Sequence, residues 1–180
     1  MLQVAQILRD SLEEGKHMNF VELLIAGAVV GLGATVFTDL VGFFRQGWAA
    51  TNGFYCLVGR WIGSVPDAGL VHSDIRNSAP VSSEAALGWG AHVILGGLFG
   101  IGFVCLFGPS SLTAPKAWQG LSFGLLTVLV PWLIFQPLFG WGVAVSKSPE
   151  PWRMRLKSVV THSVFGLGLW LSALLVQIEL

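Results

Sequence analysis

Four polar side chains stand in otherwise apolar stretches of this chain. They are Asp39 in GATVFTDLVGFF, Gln136 in VPWLIFQPLFG, and two histidines, His92 in GWGAHVILGG and His162 in VTHSVFGLG. An ionised carboxylate in hydrocarbon is expensive, so Asp39 must be paired, hydrated or protonated. Imidazole is its natural partner, because it titrates near neutrality and offers an N–H to a carboxylate. The chemistry open to such a set is binding of a proton, a metal ion or a small polar solute. Asp39, His92 and His162 are suitable ligands for zinc or iron, with Gln136 or His72 able to complete the shell. Two imidazoles on different helices are also how a membrane bundle holds a b-type haem. The plain alternative is a lock, in which each of these groups hydrogen-bonds to a neighbouring helix and does nothing else. No cofactor is the preferred expectation, with haem b or a divalent metal as the alternatives.

Helical phase says where these groups face. Gly27, Gly31, Thr35 and Asp39 are spaced by four, as are Gly88, His92, Gly96 and Gly100, and Ser158, His162 and Gly166. Stripes of small residues mark helix–helix contact faces in membranes. Asp39, His92 and His162 are therefore expected to face other helices rather than lipid. Pro131 kinks the third stretch and blurs the phase of Gln136. AHVILGG and THSVFGL each carry a histidine followed by glycine four residues on, a hint of internal repetition in which Asp39 and Gln136 are matching positions.

The elements that must position these residues follow from composition. Of 180 residues, 53% are hydrophobic and only 11% charged, against about 25% charged in soluble domains. Net charge is zero, so nothing favours nucleic acid, whose phosphates demand a basic surface. Eight tryptophans and 23 glycines fit an integral membrane protein. Runs near 21–44, 85–107, 117–145 and 158–178 are long enough to cross a hydrocarbon core, which needs about 20 apolar residues. The expected fold is all-α, an antiparallel four-helix membrane bundle forming one domain over 1–180, with the lipid bilayer as its first partner. Trp48, Trp89, Trp118, Trp141 and Trp152 flank the spans as interfacial anchors. Thr113 is read as a cap ahead of the third span and Ser148, before Pro149, as the cap of the fourth. Segment 1–19 is no signal peptide and reads either as an amphipathic surface helix or as a plain exposed leader. Cys56 and Cys105 make no CxxC, and neither a disulfide framework nor a structural zinc site is expected.

Lys and Arg set the orientation. Seven lie in the first and third connections and three on the other side, which places those connections in the cytoplasm and both termini outside. Asp39, His92, Gln136 and His162 then share one slab near the cytoplasmic face. The first connection, 45–84, is too long for a turn. Its piece GFYCLVGRWIGSV reads as an interfacial or re-entrant helix with Arg60 snorkelling toward headgroups, or as an amphipathic linker.

Six pieces, GATVFTD (33–39), GRWIG (59–63), GLVHSDI (69–75), EAALGWGAH (84–92), QPLFGWG (136–142) and HSVFGLGL (162–169), together resemble a bacterial family of small membrane proteins, domain of unknown function family 2938. The resemblance runs from the first span to the fourth. It implies four spans and residence in the bacterial inner membrane, and no activity. It also draws attention to Arg60 and His72, which could fold back over the polar slab. Val93 is a departure, since an aromatic residue is expected after the histidine.

Three kinds of function remain. Transport or permeation through the Asp/His site would require a homo-oligomer, because four spans seldom enclose a path alone. A haem- or metal-binding redox subunit is the second. A non-catalytic subunit of a membrane complex is the third. An enzyme is disfavoured: GLSFG at 120–124 matches G-x-S-x-G, but that motif works in a strand–turn–helix elbow and here falls within a membrane helix.

Overall fold

The computed structural model describes residues 18–178. The expected leader helix lies outside the described residues, except for Met18 and Asn19. Among the described residues there are no strands and six helices: α1 Phe20–Gln46, α2 Trp48–Ala68, α3 Glu84–Phe107, α4 Ser110–Thr113, α5 Ala117–Leu138 and α6 Pro151–Ile178. Four of them, α1, α3, α5 and α6, are long and apolar enough to cross a membrane, with mean hydropathies of 1.8 to 2.1. At about 1.5 Å rise per residue, the 22 residues of α5 reach about 33 Å, enough for a hydrocarbon core of about 30 Å.

The chain divides into two compact units. The first holds the described residues up to Thr38, Leu95–Gly124, and those from Ser163 onward. Its core joins Ala26, Val30 and Ala34 to Phe103, Val104, Leu112, Phe123, Phe165, Leu169 and Ala173. The small-residue stripes meet here. A Cβ on Gly31 would strike the Gly96 carbonyl and the Gly100 backbone, and one on Gly120 would strike the Gly166 carbonyl. Without side chains at these points, backbones pack directly against each other, which is where apolar helices gain dispersion energy in lipid. Thr35 sits in the same seam and satisfies its hydroxyl on the Gly31 carbonyl of its own helix at 2.8 Å.

The second unit holds Asp39–Ile94 and Leu125–His162. The apolar piece of the first connection is helical, as α2, and its Val58 packs with Ile75 and Phe139. A Cβ on Gly59 would strike the Glu84 carbonyl, and one on Gly88 the Tyr55 carbonyl. Thus α2 lies backbone-close to the start of α3.

Several boundaries differ from expectation, each for a local reason. Helix α5 ends at Leu138, not near 145. Gly140 takes φ 85°, its N–H reaches the Pro137 carbonyl at 3.0 Å, and the Trp141 N–H reaches Gln136 at 2.9 Å. That pairing is a Schellman motif, which closes a helix whatever the hydropathy beyond it. Pro131 opens a π-turn over Pro131–Phe135, the expected irregularity in a particular form. Helix α6 begins at Pro151, so Ser148 is not its adjacent cap and instead donates to the Met154 sulfur at 3.0 Å. Thr113 ends α4 and bonds back to Pro109. The Gln119 side chain receives the Lys116 N–H at 3.0 Å at the start of α5. Asn19 and Glu22 exchange backbone N–H bonds at 2.9 and 3.0 Å, a capping box at the start of α1.

The glycine seam generates a test. Gly31→Val should lower the melting midpoint of the detergent-solubilised protein strongly, since overpacking costs about 1–3 kcal/mol even against side chains and backbone yields less. Gly53→Val, at a glycine with open space around it, should cost far less. Thermal denaturation followed by circular dichroism checks both.

Candidate functional site

Asp39, Arg60, His72, His92, Gln136 and His162 all fall within the second unit. The structure bonds Asp39 directly to His92. His92 Nε2 lies 3.0 Å from Asp39 Oδ1 and 3.1 Å from Oδ2. The third member of this cluster, Tyr55 of α2, was not anticipated. Its hydroxyl donates to Asp39 Oδ1 at 3.0 Å and stands 3.0 Å from His92 Nε2. The close approach of Gly59 and Gly88 puts α2 near enough for the phenol to reach both. Tyr55 is the only tyrosine in the chain, and neither its spacing nor its neighbours mark it as a partner of Asp39.

Aromatic rings hold the imidazole. Tyr55 stacks on it at 4.2 Å between centroids and 27° between planes. Trp89 leans on Tyr55 at 4.4 Å and donates its indole N–H to Asn52 at 2.9 Å. Trp48 stacks on Trp89 at 5.4 Å. Val93 is outward and exposed, so the departure from the family pattern leaves the packing of His92 untouched. The pair is shielded but not sealed, with about a fifth of each side chain accessible, 20% for His92 and 23% for Asp39.

The hydrogen bonds fix where protons must sit. Carboxylate oxygens only accept, so one proton belongs between His92 Nε2 and Asp39, and a second stays on Tyr55. Burial foremost, then the adjacent Asp39 carboxylate, pushes the Tyr55 phenol well above its ordinary range. Tyr55 therefore keeps its proton and stands as a donor to Asp39.

His162 has a separate partner. Its Nδ1 lies 2.8 Å from Thr127 Oγ1, and Gln136 is not the residue it bonds. The glycine seams give the reason. Gly96, four residues past His92, meets Gly31, eight before Asp39. Gly166, four past His162, meets Gly120, seven before Thr127. The second histidine meets a hydroxyl where the first meets a carboxylate. Gln136 is buried, and its Oε1 has no hydrogen-bond partner among the described residues, as is true of Trp132 Nε1 in the π-turn.

Arg60 has partners within the protein. It forms a two-point bridge to Glu84 at 2.8 and 3.2 Å and donates to the Ser78 carbonyl at 3.2 Å. Glu84 opens α3, so the helix dipole favours its charge. This bonding raises the affinity of the guanidinium for its proton. His72 is buried, with Ser64 Oγ 3.3 Å from Nε2 and Ser78 Oγ 3.1 Å from Nδ1. A further pair went unread in the sequence: Arg76 bonds Asp74 through Nε at 2.9 Å and Nη2 at 2.6 Å, and the Trp141 indole N–H donates to the same carboxylate at 3.1 Å. Ser122 of GLSFG donates to Gln119 of its own helix at 3.1 Å.

Among the described residues no group of three His, Cys, Asp or Glu side chains is placed to hold a metal ion. Asp39 and His92 belong to one bonded set and His162 to another.

Four long apolar helices packed as a bundle, with ionisable groups bonded across them, define a four-span helical membrane protein. Residues 28–176 match the family described as Protein of unknown function (DUF2938), and the chain belongs to it. Among curated proteins and solved structures, none matches the chain.

The Asp74 cluster gives a pH prediction. Hydrogen bonds from Arg76, then Trp141, hold its carboxyl well below the usual carboxylate range. A depressed folded-state value contributes stability above the unfolded value of about 3.9, and that stability is lost as pH falls below it. Asp74→Asn should lower the melting midpoint by a few degrees at pH 7. The gap to the native protein should narrow below about pH 4, as read by melting curves across pH.

Proposed function

We propose that this protein moves a proton, alone or with a small solute, using the Asp39–Tyr55–His92 cluster as the binding and release site. The observation that carries this reading is the closed triangle of 3.0 Å contacts among Tyr55 Oη, His92 Nε2 and Asp39 Oδ1. Such a triangle accepts and gives up one proton by turning a hydroxyl, with no movement of a helix. Intramembrane ionisable groups of this kind mark proton or ion pathways by default. The seven-to-three division of Lys and Arg supports access from the cytoplasm of a bacterial inner membrane. A bundle of four spans needs a second copy, or a partner subunit, to enclose a complete path.

A structural reading competes, and the glycine seams favour it: the same triangle would pin α2 to α1 and α3. The two readings separate by experiment. In proteoliposomes carrying an internal pH dye, Asp39→Asn should cut proton flux at least about tenfold, while the melting midpoint changes by a few degrees or less. Tyr55→Phe should slow flux less, because His92 and Asp39 can still share a proton. A large fall in melting midpoint with flux unchanged in the folded fraction assigns the cluster to structure. A visible absorption band in the purified protein, lost in His92→Ala and His162→Ala, would instead assign it to haem.

A further inference from the structure

A second polar site lies outside the candidate spans. The segment after α2 and the turn between α5 and α6 enclose a cavity of about 220 Å³, lined by Ser73, Asp74, Arg76, Trp141, Lys147 and Ser148 among others. That volume is below the roughly 300–1,000 Å³ of drug-sized ligand sites and suits a small charged group. One carboxylate lines it, and its charge is spent. Asp74 accepts from Arg76 Nε, Arg76 Nη2, the Arg76 backbone N–H and the Trp141 indole. Lys147 adds an ammonium that has no carboxylate partner among the described residues, so the cavity carries a net positive charge. Among the described residues the Ser148 hydroxyl is engaged only with the Met154 sulfur, a weak acceptor that a better one displaces.

The wall of this cavity is built under strain. Ala144 and Val145 take φ of 49° and 54°, and Val145 is fully buried. A β-branched residue in the left-handed region is a genuine outlier, and such outliers persist only where surrounding structure over-determines them. Here Arg155 Nε holds the Ala144 carbonyl at 2.8 Å, and the Lys147 N–H returns to Trp141 at 3.0 Å. The tight turn is what brings Lys147 and Ser148 to line the same cavity as Arg76.

We infer that this cavity binds a phosphoryl oxyanion. A guanidinium, an ammonium and two hydroxyls form a donor set for an anion with several oxygens, and arginine and lysine are the usual phosphate binders. The turn carrying Lys147 joins the end of one candidate span to the start of the next, the level at which lipid phosphates lie. The oxyanion is therefore either a phospholipid headgroup or a soluble phosphate. Asp74 contributes by fixing Arg76, not by touching the ligand.

The full chain in a neutral detergent tests this, with melting midpoint and native mass spectrometry as readouts. Inorganic phosphate is titrated at constant ionic strength against chloride. Short-chain phosphatidylglycerol is titrated against phosphatidylcholine. At least one of phosphate and phosphatidylglycerol should raise the midpoint, and the stabilising concentration should rise about tenfold in Lys147→Gln. Lys147→Arg should restore binding, and Lys116→Gln, outside the cavity, should not alter it. A response to phosphate assigns a soluble oxyanion. A response to phosphatidylglycerol alone, with retained lipid in the mass spectrum, assigns the headgroup. No response to either, or an equal response in Lys147→Gln, overturns the inference.

Discussion

A carboxylate inside an apolar helix has to be neutralised where it stands, and much of the second unit is arranged around that need. Asp39 lies in a helix whose composition suits hydrocarbon, where an acidic side chain costs about 2.5–3.5 kcal/mol on the most lenient scale. Two donors answer it, the imidazole of His92 and the phenol of Tyr55. Bringing them there requires α2 to lie backbone-close to α3, which is why Gly59 and Gly88 meet carbonyls where any side chain would collide. The stacked rings of Trp48, Trp89 and Tyr55 then hold the imidazole in one orientation.

The same economy explains what differs at His162. Its partner is a hydroxyl, Thr127, so no charge needs answering there and nothing equivalent to Tyr55 is called for. Each histidine is followed four residues on by a glycine of a backbone seam, yet only His92 is bonded to a carboxylate among the described residues. The connections outside the spans follow a different rule. There, Arg60 bridges α2 to the first residue of α3 at Glu84, and Arg76 pairs locally with Asp74, which also receives the Trp141 indole.

Hydropathy made the four spans legible, because length and apolar content are what a bilayer selects. The spacing of four through Gly31, Thr35 and Asp39, and through His92, Gly96 and Gly100, pointed both polar groups toward other helices, and they do bond each other. Tyr55 was not legible, since its role depends on how α2 lies against α3, and no period in the sequence encodes that packing. The end of α5 was misplaced because apolar content continues to Val145, whereas Gly140 stops the helix by backbone geometry. The Arg60–Glu84 bridge was not legible because the two residues lie 24 apart and no local spacing links them. The pairing of Asp39 with Gln136 as matching positions has no counterpart in the bonding, where His92 meets Asp39 and His162 meets Thr127.

The central claim is that His92 and Asp39 share a proton at Nε2, with Tyr55 as the fixed donor beside them. Nitrogen-15 NMR of histidine-labelled protein in lipid, with His92 assigned by its loss in His92→Gln, reads this directly. The account predicts an Nε2 that carries a proton and shifts in both Asp39→Asn and Tyr55→Phe. An Nε2 that is unprotonated across the stable pH range, and indifferent to both substitutions, would contradict it.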